Sequence, residues 1–373
     1  MIPANIDNIA NRLYNRSQEK GRPDRTVRRL TDDKGGKWNV EARIKELLIS
    51  EDDYPSSMEQ TVKPYLERRR TELWPERVPG NRIHLMRYKA DEAKAVVIIS
   101  HGFTETEEKY AELIYYFLKE RYTVYCPEHC GHGYSYRMSD DFSLVHVDSF
   151  STYIQDFLYV SELAKRESEG LPLCLFAHSM GGGVAAAAAA ESPGLYDKVL
   201  LHSPMIRPVT GNIPWVLTGA IVRLMCLLGK EKDYIFGSRP YEGPENFETS
   251  CSLSRARFDY YQEKRAKDRH LQTRSGSLGW LRGTVQLNRC LMKDAWRHIK
   301  APVLLLQAEL EHLVSTRQQE LFVKKLRQAG RNTAELTVIP GAKHEIFNSP
   351  NSVLEGYLET VFTFFDDSSK AAG

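Results

Sequence analysis

Ala177-His-Ser-Met-Gly-Gly-Gly183 is the stretch that decides the fold. It follows an apolar run, residues 172–177, and opens an alanine-rich run, residues 182–191. A strand that turns straight into a helix holds its serine in strained backbone, with the hydroxyl thrust above the sheet. Small residues on either side let strand and helix approach closely. The usual G-x-S-x-G pattern has glycine at the first position; here Ala177 adds one methyl. The N-terminus of the new helix aims its free N–H groups at the space where an oxyanion would form. The pattern predicts Ser179 as a nucleophile and Met180 N–H as an oxyanion donor.

Working outward, the chain alternates. Residues 82–88 read as a half-buried strand, and 95–99 as a strand covered on both faces. A helix over 109–120, a strand over 122–126 and a helix over 147–165 precede the decisive stretch. A strand over 198–202 follows it. After an interruption the alternation resumes with a strand at 302–307, a helix at 318–328, a strand at 335–339 and a helix at 352–364. Such alternation predicts an α/β fold with a mostly parallel sheet covered by helices on both faces. The interruption, 205–299, is too long for a loop and reads as a mainly helical cap. Within it Ser275-Gly-Ser-Leu-Gly279 reads as a small-residue loop. The run 213–229 is apolar nearly all round, so as a helix it should bury most of its surface. Upstream, 40–74 shows helical spacing, and 1–45 reads as a polar, basic, partly mobile arm. The expected organisation is an N-terminal extension over 1–80, a catalytic domain over 81–204 and 300–366, and the cap over 205–299.

Two further segments belong with the serine. Ser100-His-Gly-Phe-Thr104 follows the 95–99 strand, and its glycine lets the chain turn and offer a backbone N–H. Phe103 N–H is the second expected oxyanion donor, each donor worth roughly 3 kcal/mol in a transition state. His101 reads as structural. Pro340-Gly-Ala-Lys-His-Glu345 follows the last strand, where a histidine can reach the serine hydroxyl. The order nucleophile, acid, histidine selects His344 as general base. The acid is expected after the 302–307 strand, in Ala308-Glu-Leu-Glu-His-Leu-Val314. Glu311 is favoured, Glu309 is the alternative, and a site without a working acid is the third outcome.

Composition excludes other classes. The 373 residues carry a net charge of +2, with 42% hydrophobic residues. That is enough for a large core and too mild for nucleic-acid binding. Six scattered cysteines without CxxC spacing read as free thiols of a reducing compartment. The first 20 residues show no apolar segment of the signal-peptide kind. The 213–229 run is marginal for a membrane span and carries Arg223 and Pro214. The expectation is a cytoplasmic protein, with peripheral membrane contact through the cap. Glu128-His-Cys-Gly-His-Gly133 reads as turn scaffolding rather than a metal site, and there is no phosphate-cradling GxxxxGK[ST]. No cofactor or metal is expected.

HGFTETEEKY, EHCGHGYS, LVHVDSF, FAHSMGGG, HSPM, PVLLLQAE and IPGAKHEIF together resemble the monoacylglycerol lipase and bacterial lysophospholipase branch of the α/β-hydrolases. The resemblance covers about residues 80–365. It implies an α/β-hydrolase fold, a cap over an acyl pocket, and hydrolysis of a single-chain lipid ester through an acyl-enzyme. The chain departs from the family at Ala177, Cys130, Ala308 and Glu311, the last standing where an aspartate is usual. A small-ester esterase or peptidase with the same machinery is the nearest alternative. A catalytically weak binding protein on the same fold is the other.

Overall fold

The short apolar runs between residues 85 and 339 become strands, and the central ones are apolar throughout because both of their faces are covered. The computed structural model describes residues 42–168, 170–330 and 333–367. Ten strands are named in chain order: β1 Arg70–Leu73, β2 Leu85–Tyr88, β3 Ala95–Ser100, β4 Tyr122–Pro127, β5 Leu144–Val145, β6 Leu173–His178, β7 Lys198–His202, β8 Ser275–Gly276, β9 Val303–Ala308 and β10 Glu335–Ile339. Eight form one sheet in the order β1-β2-β4-β3-β6-β7-β9-β10. The first two pairings, β1 with β2 and β2 with β4, are antiparallel; the rest are parallel. The central strands β3, β4, β6, β7 and β9 are buried along their whole length. Helices account for that burial, as a parallel sheet requires.

The long helices are α1 Ala111–Lys119, α2 Phe150–Glu167, α3 Ser179–Glu191, α4 Trp215–Leu227, α5 Arg255–Lys267, α6 Leu278–Lys293, α7 Thr316–Gln328 and α8 Asn351–Asp366. One apolar cluster joins α2, α3 and α6 to one face of the sheet, through Phe157, Val184, Leu287 and Leu201. A second joins α1 and α8 to the other face, through Phe117, Phe362 and Phe176. The expected α/β class, with a mostly parallel sheet covered on both sides, is the observed one.

Three expectations need correction. Helical spacing over 40–74 holds only to Glu67; Arg70–Leu73 is the edge strand β1, with alternating burial. The stretch before it is not an extension of the domain either. Ile44, Met58, Val62 and Leu66 lie in the same apolar cluster as Val97 and Phe117, so residues 44–66 are part of the sheet domain's core. The basic arm expected over 1–45 falls almost wholly outside the described residues.

The 205–299 interruption is helical, as expected, and supplies α4, α5 and α6. Its small-residue stretch is not a free loop. Ser275 and Gly276 pair with Leu144 and Val145, and Ser277 caps α6 by accepting the Trp280 N–H. The third correction concerns α4. It rests on α6 through Thr218, Gly219 and Val222, with Trp215 Nε1 donating to Asn288 Oδ1 at 3.1 Å. Nothing covers the opposite face among the described residues. Val216 is 85% exposed and Leu227 76%. One neighbouring helix covers only one stripe, so an all-round apolar helix stays half in water.

A buried ion pair ties the insertion to the sheet domain. Arg257 on α5 donates from Nε and Nη2 to the two oxygens of Glu112 on α1, at 2.8 and 2.7 Å. Tyr54 and Tyr116 donate to the same carboxylate, and Arg257 Nη1 reaches Ser349 O at 3.1 Å. A fork that fits a carboxylate on both oxygens fixes angle as well as distance. Removing one partner of such a pair strands the other charge and costs about 3–5 kcal/mol. Arg257→Ala is therefore expected to lose that much in urea unfolding, while Arg255→Ala, which breaks an exposed pair with Asp259, loses under about 1 kcal/mol. Equal losses would show that the buried pair does not hold α5 in place.

Candidate active site

Strand β6 ends at His178 and α3 begins at Ser179, with no residue between them. That abrupt turn puts Ser179 at φ +50°, in the left-handed region. Its tolerance depends on the glycines that follow. A Cβ on Gly181 would sit 2.2 Å from Ser100 O and 2.4 Å from His101 O. One on Gly182 would meet Pro204 Cβ at 2.7 Å. The first turn of α3 therefore lies directly on the chain leaving β3, closer than any side chain permits. Ser100 Oγ donates back to Gly181 O at 3.1 Å. Ala177, in the first position of the motif, is fully buried within β6.

His344 stands on the loop after β10, and Glu311 on the loop after β9. His344 Nε2 lies 2.8 Å from Ser179 Oγ, and Nδ1 lies 2.7 Å from Glu311 Oε2. The other Glu311 oxygen accepts the N–H groups of Leu313 and Val314 at 2.9 and 3.3 Å. Burial alone would push the Glu311 carboxyl up. The His344 ring and the two N–H groups outweigh it and hold the carboxyl below its ordinary value. Glu309 points elsewhere: its Oε2 accepts Gly341 N–H at 2.7 Å and braces the loop that carries His344. A hydroxyl, an imidazole and an ionised carboxylate in this line can deliver an alkoxide to a carbonyl carbon.

The two other expected residues lie on the α3 start and on the turn after β3. Met180 is the second residue of α3, so its N–H has no partner within the helix. Phe103 follows the Gly102 turn, its ring 4.3 Å from the Trp280 ring of α6. His101 is structural: Nδ1 donates to Gly102 O at 2.8 Å, leaving Nε2 to accept His129 N–H at 2.8 Å. In the Glu128–Gly133 turn, Glu128 accepts from Tyr134 N–H at 2.7 Å and lies 2.8 Å from His84 Nδ1, so the segment is scaffolding.

Sequence reading missed the layer beneath. Glu105 is buried and accepts Gly102 N–H at 2.7 Å and the Tyr110 hydroxyl at 2.6 Å. Its other oxygen lies 3.1 Å from Lys109 Nζ, which also meets Glu345 Oε1 at 2.5 Å. An ionic chain thus joins the Phe103 loop to the His344 loop. Burial opposes the charge on Glu105, yet Lys109 keeps its carboxyl below the ordinary value. The His178 ring lies 4.5 Å from that of His202 and 4.9 Å from that of His344, His202 meets Phe347 edge-on, and burial pushes both His178 and His202 far below the ordinary histidine value. The available signal was an acid three residues after a loop glycine, with a lysine four further on.

Several known proteins are similar to this chain. Lysophospholipase L2 of Escherichia coli is 26% identical over 295 residues, covering 78% of this chain and 86% of that protein. A monoacylglycerol lipase of Mycolicibacterium smegmatis is 26% identical over 263 residues, covering 70% and 85%. Among solved structures, a soluble variant of Saccharomyces cerevisiae monoglyceride lipase superposes with a TM-score of 0.64 at 18% identity, covering 81% of this chain and 96% of that one. A carboxyl esterase from Bacillus coagulans gives 0.62 at 18% identity, covering 80% and 97%. These structural likenesses establish the α/β-hydrolase fold. The serine aminopeptidase, S33 family model matches residues 91–351, a span that takes in the β3 turn, the Ser179 elbow and both loops meeting at His344, and the chain belongs to that family.

Proposed function

We propose that this chain hydrolyses the carboxylic ester of a lipid bearing one acyl chain, of the lysophospholipid or monoacylglycerol kind. The observation that carries the reading is the Ser179–His344–Glu311 line of short hydrogen bonds at the strand-to-helix turn. Relatives named lysophospholipase L2 and monoacylglycerol lipase, matched over most of their length, support the substrate class.

Ser179 is the nucleophile, His344 the general base and Glu311 the acid that orients it. Ser179 Oγ attacks the ester carbonyl carbon as His344 Nε2 takes its proton. The N–H groups of Phe103 and Met180 hold the oxyanion. As the tetrahedral centre collapses, the bond to the alcohol breaks and His344 gives the proton to the departing oxygen. Water, deprotonated by the same imidazole, then cleaves the acyl-enzyme and restores Ser179. Glu311 keeps the proton of the neutral ring on Nδ1 and stabilises the imidazolium. No step requires a metal or cofactor. Residues 205–299 form the cap.

The exposed face of α4 supports working at a lipid surface. Val216, Leu217, Leu224, Leu227 and Leu228 lie together on one helix, with the exposed Arg223 among them. Apolar residues that meet no protein can enter the acyl boundary, and an arginine beside them suits anionic head groups. We infer peripheral attachment to membranes through this face, in a cytoplasmic protein. Among the described residues no helix is long and apolar enough to cross a membrane. Membership of the serine aminopeptidase family also allows a peptidase. The apolar face favours lipid, and amino-acid arylamides tested beside lipid esters separate the two.

Three outcomes are expected. Ser179→Ala abolishes ester hydrolysis and leaves the melting temperature near wild type; residual turnover within tenfold of wild type would remove Ser179 from the mechanism. Glu311→Gln lowers kcat by about 10⁴, the cost of the wrong imidazole tautomer in a triad of this kind. Glu309→Gln costs far less, since that carboxylate only braces Gly341; the reverse ranking in steady-state kinetics would make Glu309 the acid. Finally, the double change Val216→Glu and Leu227→Glu reduces sedimentation with anionic vesicles and turnover of vesicle-borne lipid. Turnover of a soluble short-chain aryl ester stays close to wild type. Undiminished vesicle binding would show that attachment lies elsewhere.

A further inference from the structure

The insertion holds a polar basin that none of the reacting groups enters. A cavity of about 960 Å³ is lined by Arg239, Glu242, Glu245, Thr249 and Arg274. A smaller cavity of about 100 Å³ shares Glu245, Thr249 and Ser250 with it. That second cavity is also lined by Thr104 and Glu345, the residues directly after Phe103 and His344. The two cavities therefore share one wall, and the smaller one borders the loops that carry Phe103 and His344. That wall is tied to the His344 loop: Glu345 N–H donates to Cys251 O at 3.2 Å, and Lys343 Nζ to Ser250 O at 3.1 Å.

The charges of the basin are unevenly paired. Arg239 pairs with Glu242 at 3.1 Å at the rim. Arg265 meets Glu245 at 2.7 Å, and its other nitrogens are taken by the carbonyls of Leu271 and Thr273. Arg274 lies 3.6 Å from the same Glu245 oxygen and must share it. The basin itself is lined by two guanidinium groups, Arg239 and Arg274, and two carboxylates, Glu242 and Glu245. Because Arg265 holds Glu245 from outside the basin, Arg274 is the loosely paired charge and can offer itself to a ligand. Guanidinium forks match phosphate oxygens in pairs, and the Glu242 carboxylate at the rim suits a cationic group a few bonds away. Both signs within one open basin fit a zwitterion.

We propose that this basin receives the zwitterionic phosphate head group of a lysophospholipid, with Arg239 and Arg274 on the phosphate and Glu242 on the ammonium. The proposal rests on the single-chain lipid reading above and narrows it. A monoacylglycerol has an uncharged head and gains nothing from the two arginines, so the basin makes the chain prefer the phospholipid.

The test uses the full-length protein and two measurements. The first is the ratio of kcat/KM for lysophosphatidylcholine to that for a monoacylglycerol of the same acyl chain. Changing Arg239→Gln and Arg274→Gln together is expected to lower that ratio tenfold or more. The second is calorimetric titration of glycerophosphocholine into the Ser179→Ala protein, with and without the two arginine changes. Saturable binding that disappears with the arginines is expected. A ratio within twofold of wild type overturns the proposal. So does an absence of glycerophosphocholine binding, or inorganic phosphate binding as tightly as glycerophosphocholine, which would mark a plain anion site. If wild type cleaves neither lipid yet glycerophosphocholine binds through the arginines, the basin stands and the lipase reading falls.

Discussion

The close approach of Gly181 to the Ser100 and His101 carbonyls is the constraint on which the rest depends. With any Cβ at that position, α3 would have to lift off the end of β3. Ser179 would then lose both its strained backbone and its place between the His344 loop and the Phe103 loop. The glycines do not make the site reactive by themselves. They allow one helix N-terminus and one strand end to share a space that no side chain enters. The long alanine run serves the same end further along, since a helix buried on nearly every side must be thin.

Positioning of the other two groups is a matter of loops, and loops need bracing. Three sets of contacts supply it. Glu309 accepts from Gly341, and Leu310 N–H donates to Ala342 O at 2.9 Å, so the Glu311 loop and the His344 loop are tied to each other. Glu105, Lys109 and Glu345 join the Phe103 loop to the His344 loop. The Ser250–Cys251 carbonyls hold the His344 loop from above. Each contact lies within two or three residues of a group in the Ser179 line, so a shift in one loop is resisted by the others. Buried neutral histidines fill the remaining space beside His344 without adding a competing charge. Preorganisation of this kind keeps the imidazole at hydrogen-bonding distance before a substrate arrives.

Much of this was legible in the residues, and the reason is local. Strand and helix periodicity located seven of the eight strands of the large sheet, because burial leaves an unbroken apolar run in the central ones and alternation in Leu85–Tyr88. The meeting of Ser179 and His344 followed from chain order, and Glu311 from its place after β9. What stayed hidden depends on partners distant in sequence. Arg70–Leu73 is too short and too polar to read as a strand; it exists because β2 offers an edge. Glu105 reads as one acid in a charged helix start until Gly102 N–H and Tyr110 are seen around it. For α4 the sequence reading failed in the other direction. Apolar composition states a need for burial, but only the structure shows how few neighbours are there to meet it.

The insertion therefore carries two surfaces of opposite chemistry on one framework. Helix α4 turns an apolar stripe outward, while the segment from Gly237 to Ser250 and the turn before β8 enclose charge. Both are anchored to the sheet domain by contacts that neither surface can supply for itself. Arg257 locks α5 to α1 through a desolvated ion pair, and β8 locks the start of α6 to β5. Desolvated pairs rarely add much net stability over apolar packing, but they punish any displacement steeply. That is the property an insertion needs when its apolar face is left in water. Helix α4 is held at second hand: it rests on α6 through Val222 and the Trp215 Nε1–Asn288 Oδ1 hydrogen bond, and the start of α6 is fixed to β5 through β8.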